Sequence, residues 1–132
     1  MTIRRRIAVA ATTLMLGGAL VVVPSTTAFA AYSCNIDIAA STNYMYAGYY
    51  AGTTVQPSSS GVSSAGIEAQ CLLRSRGYSP GTVDGIFGTN SQNAASAFQR
   101  RMNSRYHAGL TVDGKVGPKT WPYLRDLDYY DN

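Results

Sequence analysis

Two aspartates in nearly identical turns are the first residues of this 132-residue sequence that suggest chemistry. Asp84 and Asp113 each stand between a valine and a glycine, and they lie 113 − 84 = 29 positions apart. A pair of carboxylates can act as the acid and base of a glycoside hydrolase. An aspartate before a glycine also has a structural role, because its side chain accepts bonds from nearby backbone N–H groups while glycine tolerates positive φ. Since the whole turn is repeated, we expect the structural role at both positions.

Other catalytic chemistries lack the residues they require. The sequence has one histidine, His107, and one glutamate, Glu68. A zinc hydrolase needs about three ligands and a base, a calcium loop needs alternating oxygen ligands, and none of the serines stands in an activating pattern. We therefore predict no catalytic residue, no metal and no cofactor, and a protein that is not an enzyme.

The elements that carry the two aspartates form an internal repeat. The hexapeptides at 83–88 and 112–117 are followed, at the same offset of 29, by Ser91 and Thr120. This regularity predicts two related half-units. Each hexapeptide is predicted to be a short extended valine, a tight turn and a re-entry into helix. The structural turn residues are Asp84, Gly85, Gly88, Asp113, Gly114 and Gly117.

Helical spacing surrounds these turns and predicts an all-α fold, a three-helix bundle with little or no sheet. Ser63 or Ser64 is predicted to cap a first helix that stops at Gly77. Ser91 is predicted to cap a second helix that runs to about Met102, followed by a polar loop at 103–109. Thr120 is predicted to cap a short third helix. The predicted inward residues are Ala69, Leu72, Leu73, Arg76, Phe87, Ala94, Ala95, Phe98, Met102, Trp121, Leu124 and Leu127.

Residues 1–30 are predicted to be a secretory signal peptide. Three arginines precede a mostly apolar run at 7–23, and Ala28-Phe29-Ala30 has the cleavage spacing, with cutting after Ala30. A membrane anchor is the alternative, but Pro24 and polar residues follow the run without a basic stop-transfer segment. The sequence leaves open whether secretion uses the general or the twin-arginine route. We expect a secreted protein, extracellular or associated with the cell wall, with no membrane contact after signal removal.

Signal removal leaves 132 − 30 = 102 residues with eight basic and seven acidic side chains, a net charge of +1. This charge gives no reason to expect nucleic acid as a partner, and we expect a monomer. The two cysteines, Cys34 and Cys71, predict a disulfide in an oxidising compartment, two free thiols being the alternative. The disulfide would tether an irregular N-terminal arm to the first helix.

That arm spans residues 31–62 and is rich in Tyr, Ser and Gly. Tyr44 to Tyr46 could form a short strand, and residues 56–61 are predicted to be a flexible linker. The tyrosines could form a platform for sugar rings or cover the disulfide and core, and both interpretations stay open. The domain is predicted at 63–128, followed by a short acidic tail at 129–132.

The ordered motifs of residues 64–127 resemble the type 1 peptidoglycan-binding domain, a small three-helix module. The matching residues are Gln70, Leu72, Leu73, Gly77-Tyr78, residues 83–88, Phe98-Gln99, Gly109-Leu110, residues 112–118, Thr120-Trp121 and Leu124. The chain departs from the family pattern at 91–95 and in a longer stretch between Gln99 and Gly109. The signal and Cys71 are similar to those of secreted actinobacterial members.

The resemblance implies a non-catalytic module that binds cell-wall peptidoglycan through its glycan, its stem peptide or both, with a wall hydrolase as a further partner. The alternative is a secreted protein-interaction or surface-structural module that keeps the fold without binding glycan. A glycan–peptide polymer is recognised by aromatic rings, amides and arginine. The candidate ligand-binding residues beside the second helix are Tyr78, Gln92, Asn93, Gln99, Arg100 and Tyr106.

Overall fold

The computed structural model describes residues 31–130. The elements are β1 (Asp37–Ala39), β2 (Tyr44–Tyr46), α1 (Ser64–Ser75), α2 (Thr89–Tyr106), α3 (Thr120–Arg125) and a closing 3₁₀ turn, Leu127–Tyr129. The predicted signal peptide with Ala30, and the last two residues of the predicted tail, lie outside the described residues. Within 31–130, no helix is both long and apolar enough to cross a membrane.

A two-stranded sheet corrects the all-α prediction. β1 pairs antiparallel with β2, placing Ile38 opposite Met45. Met45 is buried and joins the helical core, while Tyr44 forms a bridge to Asp126 beside α3. The strand considered for Tyr44 to Tyr46 is confirmed, and its partner is Asp37–Ala39. The fold is therefore three helices with a short sheet laid against them.

The first helix follows its prediction. Ser63 caps it by accepting a bond from the Gly66 backbone N at 3.0 Å. Its inward residues Leu72 and Leu73 are fully buried. The helix gives way to a loop at Gly77, where φ is +90°, a conformation that glycine adopts readily.

The second helix starts earlier and ends later than predicted. Gly88 is its N-cap, and Ser91 lies inside the first turn, where its hydroxyl donates to the Pro80 carbonyl at 2.7 Å. The helix continues to Tyr106, so most of the predicted loop at 103–109 is helical. Packing explains the extension, because the Tyr106 ring stacks edge-on against Tyr129 with centroids 5.0 Å apart.

The third helix begins at Thr120 with Lys119 at its N-cap, and no side chain caps it. The predicted capping role of Thr120 is therefore wrong, since its hydroxyl is engaged inside the domain. Trp121 is fully buried as predicted, and its indole N–H donates to the Val55 carbonyl at 2.8 Å. Phe87 is also a core residue, at 2% exposure.

The N-terminal arm is an integral layer of the domain. The Cys34–Cys71 disulfide is confirmed, with Cα atoms 5.3 Å apart, and leaves no free cysteine among the described residues. The predicted linker is also packed. Pro57 is buried, and the Ser58 carbonyl accepts from Phe87 N at 2.9 Å.

The end of the described chain packs on the same core. Tyr129 and Tyr130, the last two described residues, are half-buried against it. The buried guanidinium of Arg76 holds this end by donating to four carbonyls, those of Tyr123, Leu124, Asp126 and Tyr129. Burial lowers the pKa of Arg76 to about 10, so the group is still protonated at neutral pH.

Candidate functional site

The buried amide of Gln70 organises the first turn. Its Nε2 donates to Asp84 Oδ1 (3.2 Å), the Ile86 carbonyl (3.0 Å) and Ser91 Oγ (2.9 Å), and its Oε1 accepts from Gly85 N (2.8 Å). Asp84 Oδ1 also accepts from Ile86 N at 3.0 Å, the bond expected of a structural aspartate. One amide thus satisfies donors and acceptors of the turn that are turned away from water.

The buried amide of Gln99 does the same for the second turn. Its Nε2 donates to Asp113 Oδ1 (3.2 Å), the Lys115 carbonyl (3.0 Å) and Thr120 Oγ1 (3.2 Å), and its Oε1 accepts from Gly114 N (3.0 Å). Asp113 Oδ1 also accepts from Lys115 N at 2.9 Å. Both aspartates are therefore held by bonds within their own turns.

The two glutamines are related by the repeat, because 99 − 70 = 29. Each half-unit consists of a helix that contributes a glutamine and the turn that this glutamine holds, first with α1 and then with α2. The turn glycines adopt positive φ, +82° at Gly85 and +73° at Gly114. The fold and this duplicated bonding pattern define a small helical module built from two copies of one helix–turn unit.

Each turn also forms one side of an open cavity at the surface. The first cavity has a volume of about 230 Å³ and the second about 390 Å³. The first is lined by Pro80, Gly81, Thr82, Asp84, Ile86, Gly88, Thr89, Asn90 and Ser91. The second is lined by Gln56, Gln99, Leu110, Thr111, Asp113, Lys115, Gly117, Pro118, Lys119 and Thr120.

The second cavity continues into a third of about 350 Å³, with which it shares Gln56 and Lys115. The third is lined by Gln56, Pro57, Ser58, Ser59, Phe87, Gln92, Gly114 and Lys115. We call the second and third cavities together the second-turn groove. One wall is the packed segment of the arm at 56–59, and the other is the second turn with the start of α2. Only the tertiary structure brings these two segments together.

The six predicted ligand-binding residues are not gathered in one place. Gln92 lines the second-turn groove, with its Nε2 donating to the Phe87 carbonyl at 2.9 Å. Asn93 and Arg100 are exposed on α2 and are not among the residues that line the groove. Gln99 is only 1% exposed and forms the floor of the groove, where its amide is bonded to the turn. Gln99 thus positions the groove wall instead of presenting its amide to a ligand.

The two predicted tyrosines belong to aromatic packing around the core. Tyr78 meets Phe98 edge-on with ring centroids 5.7 Å apart. Tyr106, predicted on a loop, lies in the last turn of α2 against Tyr129. Part of the longer stretch after Gln99 therefore extends α2.

The tyrosines of the arm pack on the core and also line a cavity at the surface. The ring of Tyr50 packs against that of Trp121 with centroids 5.3 Å apart. The pKa of the Tyr50 phenol is lowered, chiefly by hydrogen bonding with Thr54. Tyr46, Tyr49 and Tyr50 also line an apolar cavity of about 340 Å³ at the surface. These rings cover the core on one side and form a shallow aromatic recess on the other.

Comparison with known proteins identifies the module. Residues 62–124 match the model of the family described as "Putative peptidoglycan binding domain". Two curated relatives, both spore cortex-lytic enzymes from Bacillus cereus, are 38% identical over 65 residues, which is 49% of this chain and 23% of each relative. The chain thus spans about a quarter of the length of these relatives.

A solved structure shows the same fold. It is a peptidoglycan-binding protein from Clostridioides difficile in complex with glutamine hydroxamate, with a TM-score of 0.53 at 24% identity. The alignment covers 69% of this chain and 56% of that chain. Together with the family match, the helices and turns show that the chain carries a domain of the peptidoglycan-binding family.

Three structural roles were not recognised in the sequence: the paired bonding of the two turn glutamines, the burial of Glu68, and the bond of Arg125 to Glu68. The first two had a signal in the sequence. The paired roles of Gln70 and Gln99 follow from the same 29-residue offset that relates the turns. Glu68 precedes Leu72 by four positions and therefore lies on the inward stripe of α1. Arg125 donates a hydrogen bond to Glu68 but had no comparable signal, because the two residues are 57 positions apart and only the fold brings them into contact.

Proposed function

We propose that this protein is a secreted, non-catalytic module of the actinobacterial type that binds cell-wall peptidoglycan in the second-turn groove. The observation that carries the proposal is the family match over residues 62–124 together with an open groove on that domain whose lining includes amide, hydroxyl and lysine side chains. The two cavities of the groove, about 390 and 350 Å³, are each larger than the first-turn cavity of about 230 Å³, and the arm at 56–59 forms one wall of the groove. A groove with two walls can contact an extended polymer segment from both sides and thereby orient it. A surface with one wall contacts the segment from one side.

The lining of the groove suits the peptide part of the polymer. Exposed Gln56, Ser59 and Thr111 carry groups that can bond backbone amides of a bound peptide. Sugar rings bind best on exposed aromatic faces, and the one aromatic residue of the groove, Phe87, is 2% exposed. The groove therefore favours a stem peptide, while the recess of arm tyrosines is a separate place where a glycan ring could stack.

A pelleting experiment with insoluble sacculi tests the proposal. Protein lacking residues 1–30, with its disulfide formed, is expected to sediment with sacculi at low salt. Protein that stays in the supernatant would overturn peptidoglycan binding. A turbidity assay on the same sacculi tests the non-catalytic assignment, since a steady fall in turbidity would show wall hydrolysis.

The location of the site is tested by a matched pair of variants. Thr111 and Thr82 are exposed and occupy equivalent positions in the second and first cavities, because 111 − 82 = 29. Thr111→Trp is expected to obstruct the groove and to weaken sedimentation, whereas Thr82→Trp leaves it unchanged. The same side chain is added in both variants, so an equal effect of the two would exclude the second-turn groove as the site.

A protein-interaction module is the second candidate, and exposed apolar side chains on the arm favour it. Ile38 is 54% exposed and Val55 is 51% exposed. A secreted wall hydrolase that this chain brings to its substrate is one partner of that kind. Crosslinking from an arm position to one defined protein, with no sedimentation on sacculi, would support this candidate over peptidoglycan binding.

A further inference from the structure

The two turn cavities are copies of one another. When 29 is added to the residue numbers of the first cavity, eight of its nine lining positions fall on residues that line the second. Both copies have the same bonded set of a glutamine, an aspartate and a hydroxyl residue. These are Gln70, Asp84 and Ser91 in the first copy and Gln99, Asp113 and Thr120 in the second. The differences between the two cavities are therefore differences of side chains on one shared backbone frame.

Two of these differences place positive charge in the second cavity and not in the first. Ile86 and Asn90 of the first cavity correspond to Lys115 and Lys119 of the second. These are the two lysines of the whole sequence, and both are exposed. Both lysines of the chain therefore line a single cavity.

The carboxylate of Asp113 balances only part of this charge. Its Oδ1 accepts from Gln99 Nε2 and from the Lys115 backbone N, so it is oriented toward the turn. The lining of the second cavity then carries two positive side chains against one negative side chain. In the first cavity, Asp84 is the one charged lining residue. The repeat has thus produced two frames of opposite local charge.

We infer that Lys115 and Lys119 form a subsite for a carboxylate group of the wall stem peptide, an inference that rests on peptidoglycan binding in the second-turn groove. Ammonium groups bond carboxylate oxygens with charge-assisted hydrogen bonds, which are stronger than neutral ones. The rest of the groove lining is uncharged apart from Asp113 and carries amide and hydroxyl groups, as a peptide ligand requires. The first cavity, with Asp84 alone, does not bind this group.

Wall-linked polymers with phosphate groups offer the other anion that two lysines could bind. A phosphodiester chain has repeated charges and needs a positive track, whereas here both lysines lie at one cavity. Phosphate polymers can be removed from sacculi with hydrofluoric acid while the peptide carboxylates stay. Lysine-dependent sedimentation is therefore expected to persist on acid-treated sacculi, and its loss after that treatment would overturn the inference.

The first measurement compares two synthetic probes. They are a stem tetrapeptide with free carboxylates and the same peptide with every carboxylate converted to carboxamide. The free acid is expected to bind about tenfold more tightly at low salt, in proportion to one charge-assisted contact, and to lose this advantage as NaCl is raised. Equal affinities for the two peptides would overturn the inference.

The second measurement uses variants that remove or retain one positive charge. Lys119→Gln is expected to weaken the free-acid peptide about tenfold and to leave the amidated peptide unchanged. Lys119→Arg retains the charge and is expected to restore most of the binding. Arg74→Gln removes an exposed charge on α1, away from both cavities, and serves as the control.

The outcomes separate this inference from the proposed function. Suppose that the wild-type protein sediments with sacculi and that the double variant with both Lys115→Gln and Lys119→Gln sediments equally well. The carboxylate subsite is then wrong, while peptidoglycan binding stands. If the wild-type protein does not sediment at all, the proposed function fails first. Since both lysines are exposed, thermal unfolding of the variants is expected to match the wild type.

Discussion

Glu68 and Arg125 form an ion pair at 2.9 Å in which both side chains are fully buried. Glu68 also accepts from the backbone N atoms of Ala47, Tyr49 and Tyr50, and Arg125 donates to carbonyls of the arm, including that of Met45 at 2.9 Å. The guanidinium lies 4.5 Å from the Tyr46 ring centre and 4.9 Å from that of Trp121. The pair therefore joins α1, α3 and the N-terminal arm at one point.

Removing one member of this pair is predicted to destabilise the whole domain. Arg125→Met leaves Glu68 charged and buried without its partner, and we expect the free energy of unfolding to fall by about 3–5 kcal/mol. Arg100→Met, which changes an exposed arginine of α2, is the matched control and should alter stability by less than about 0.5 kcal/mol. Urea unfolding followed by circular dichroism measures both. A midpoint for Arg125→Met close to the wild type would contradict the prediction.

The two turn glutamines are predicted to have similar effects on stability but different effects on binding. Gln70→Leu and Gln99→Leu each leave buried turn groups without a partner, and each should cost about 2–3 kcal/mol. Gln99→Leu also disturbs the wall of the second-turn groove, so it should weaken sedimentation on sacculi while Gln70→Leu does not. Asn93→Leu, at an exposed position of α2 that does not line the groove, controls for the change in polarity. Equal loss of sedimentation in Gln70→Leu and Gln99→Leu would argue against a site at the second turn.

A glycine series separates backbone strain from steric contact. Gly77→Ala has φ +90° with nothing near the added methyl group, so it should cost only the left-handed conformation, about 1–2 kcal/mol. Gly114→Ala has φ +73° and would place its methyl group 2.8 Å from the Gln92 carbonyl oxygen. We expect the second variant to lose clearly more stability, because that oxygen belongs to the backbone of α2. Thermal unfolding of the two variants is the measurement, and equal losses would show that the turn can move.

The disulfide is predicted to stabilise the domain chiefly by restricting the unfolded chain. Cys34 and Cys71 are 37 positions apart, and a closed loop of this length is worth roughly 3–4 kcal/mol in the chain-entropy model. The Cys34→Ser with Cys71→Ser variant should unfold at lower urea but keep its native circular dichroism spectrum at zero urea, since Glu68 and Arg125 still hold the arm. A variant with a detached, protease-sensitive arm would show that the disulfide alone holds it.

The sequence by itself determined the repeated frame of this protein. The offset of 29 between the two Val-Asp-Gly turns, the cap at Ser63, the stripe of Leu72 and Leu73 and the pairing of Cys34 with Cys71 were all readable, because they depend on local bonding and on compartment. The turn aspartates were predicted to be structural for the same reason, and each accepts a backbone N–H bond within its own turn. Local chemistry repeats wherever the local sequence repeats.

The tertiary structure decided how the arm and the end of the domain are used. Residues 103–109 were predicted to be a loop, whereas α2 continues to Tyr106, whose ring packs against Tyr129. Gln99 had the residue type of a ligand contact, but it bonds Asp113 of a turn that lies 14 positions away, and it is buried there. The second-turn groove forms where the arm at 56–59 lies beside Lys115. Arg125 is buried in an ion pair with Glu68. Such pairings between distant segments depend on the packing of the whole domain, so spacing along the chain alone does not specify them.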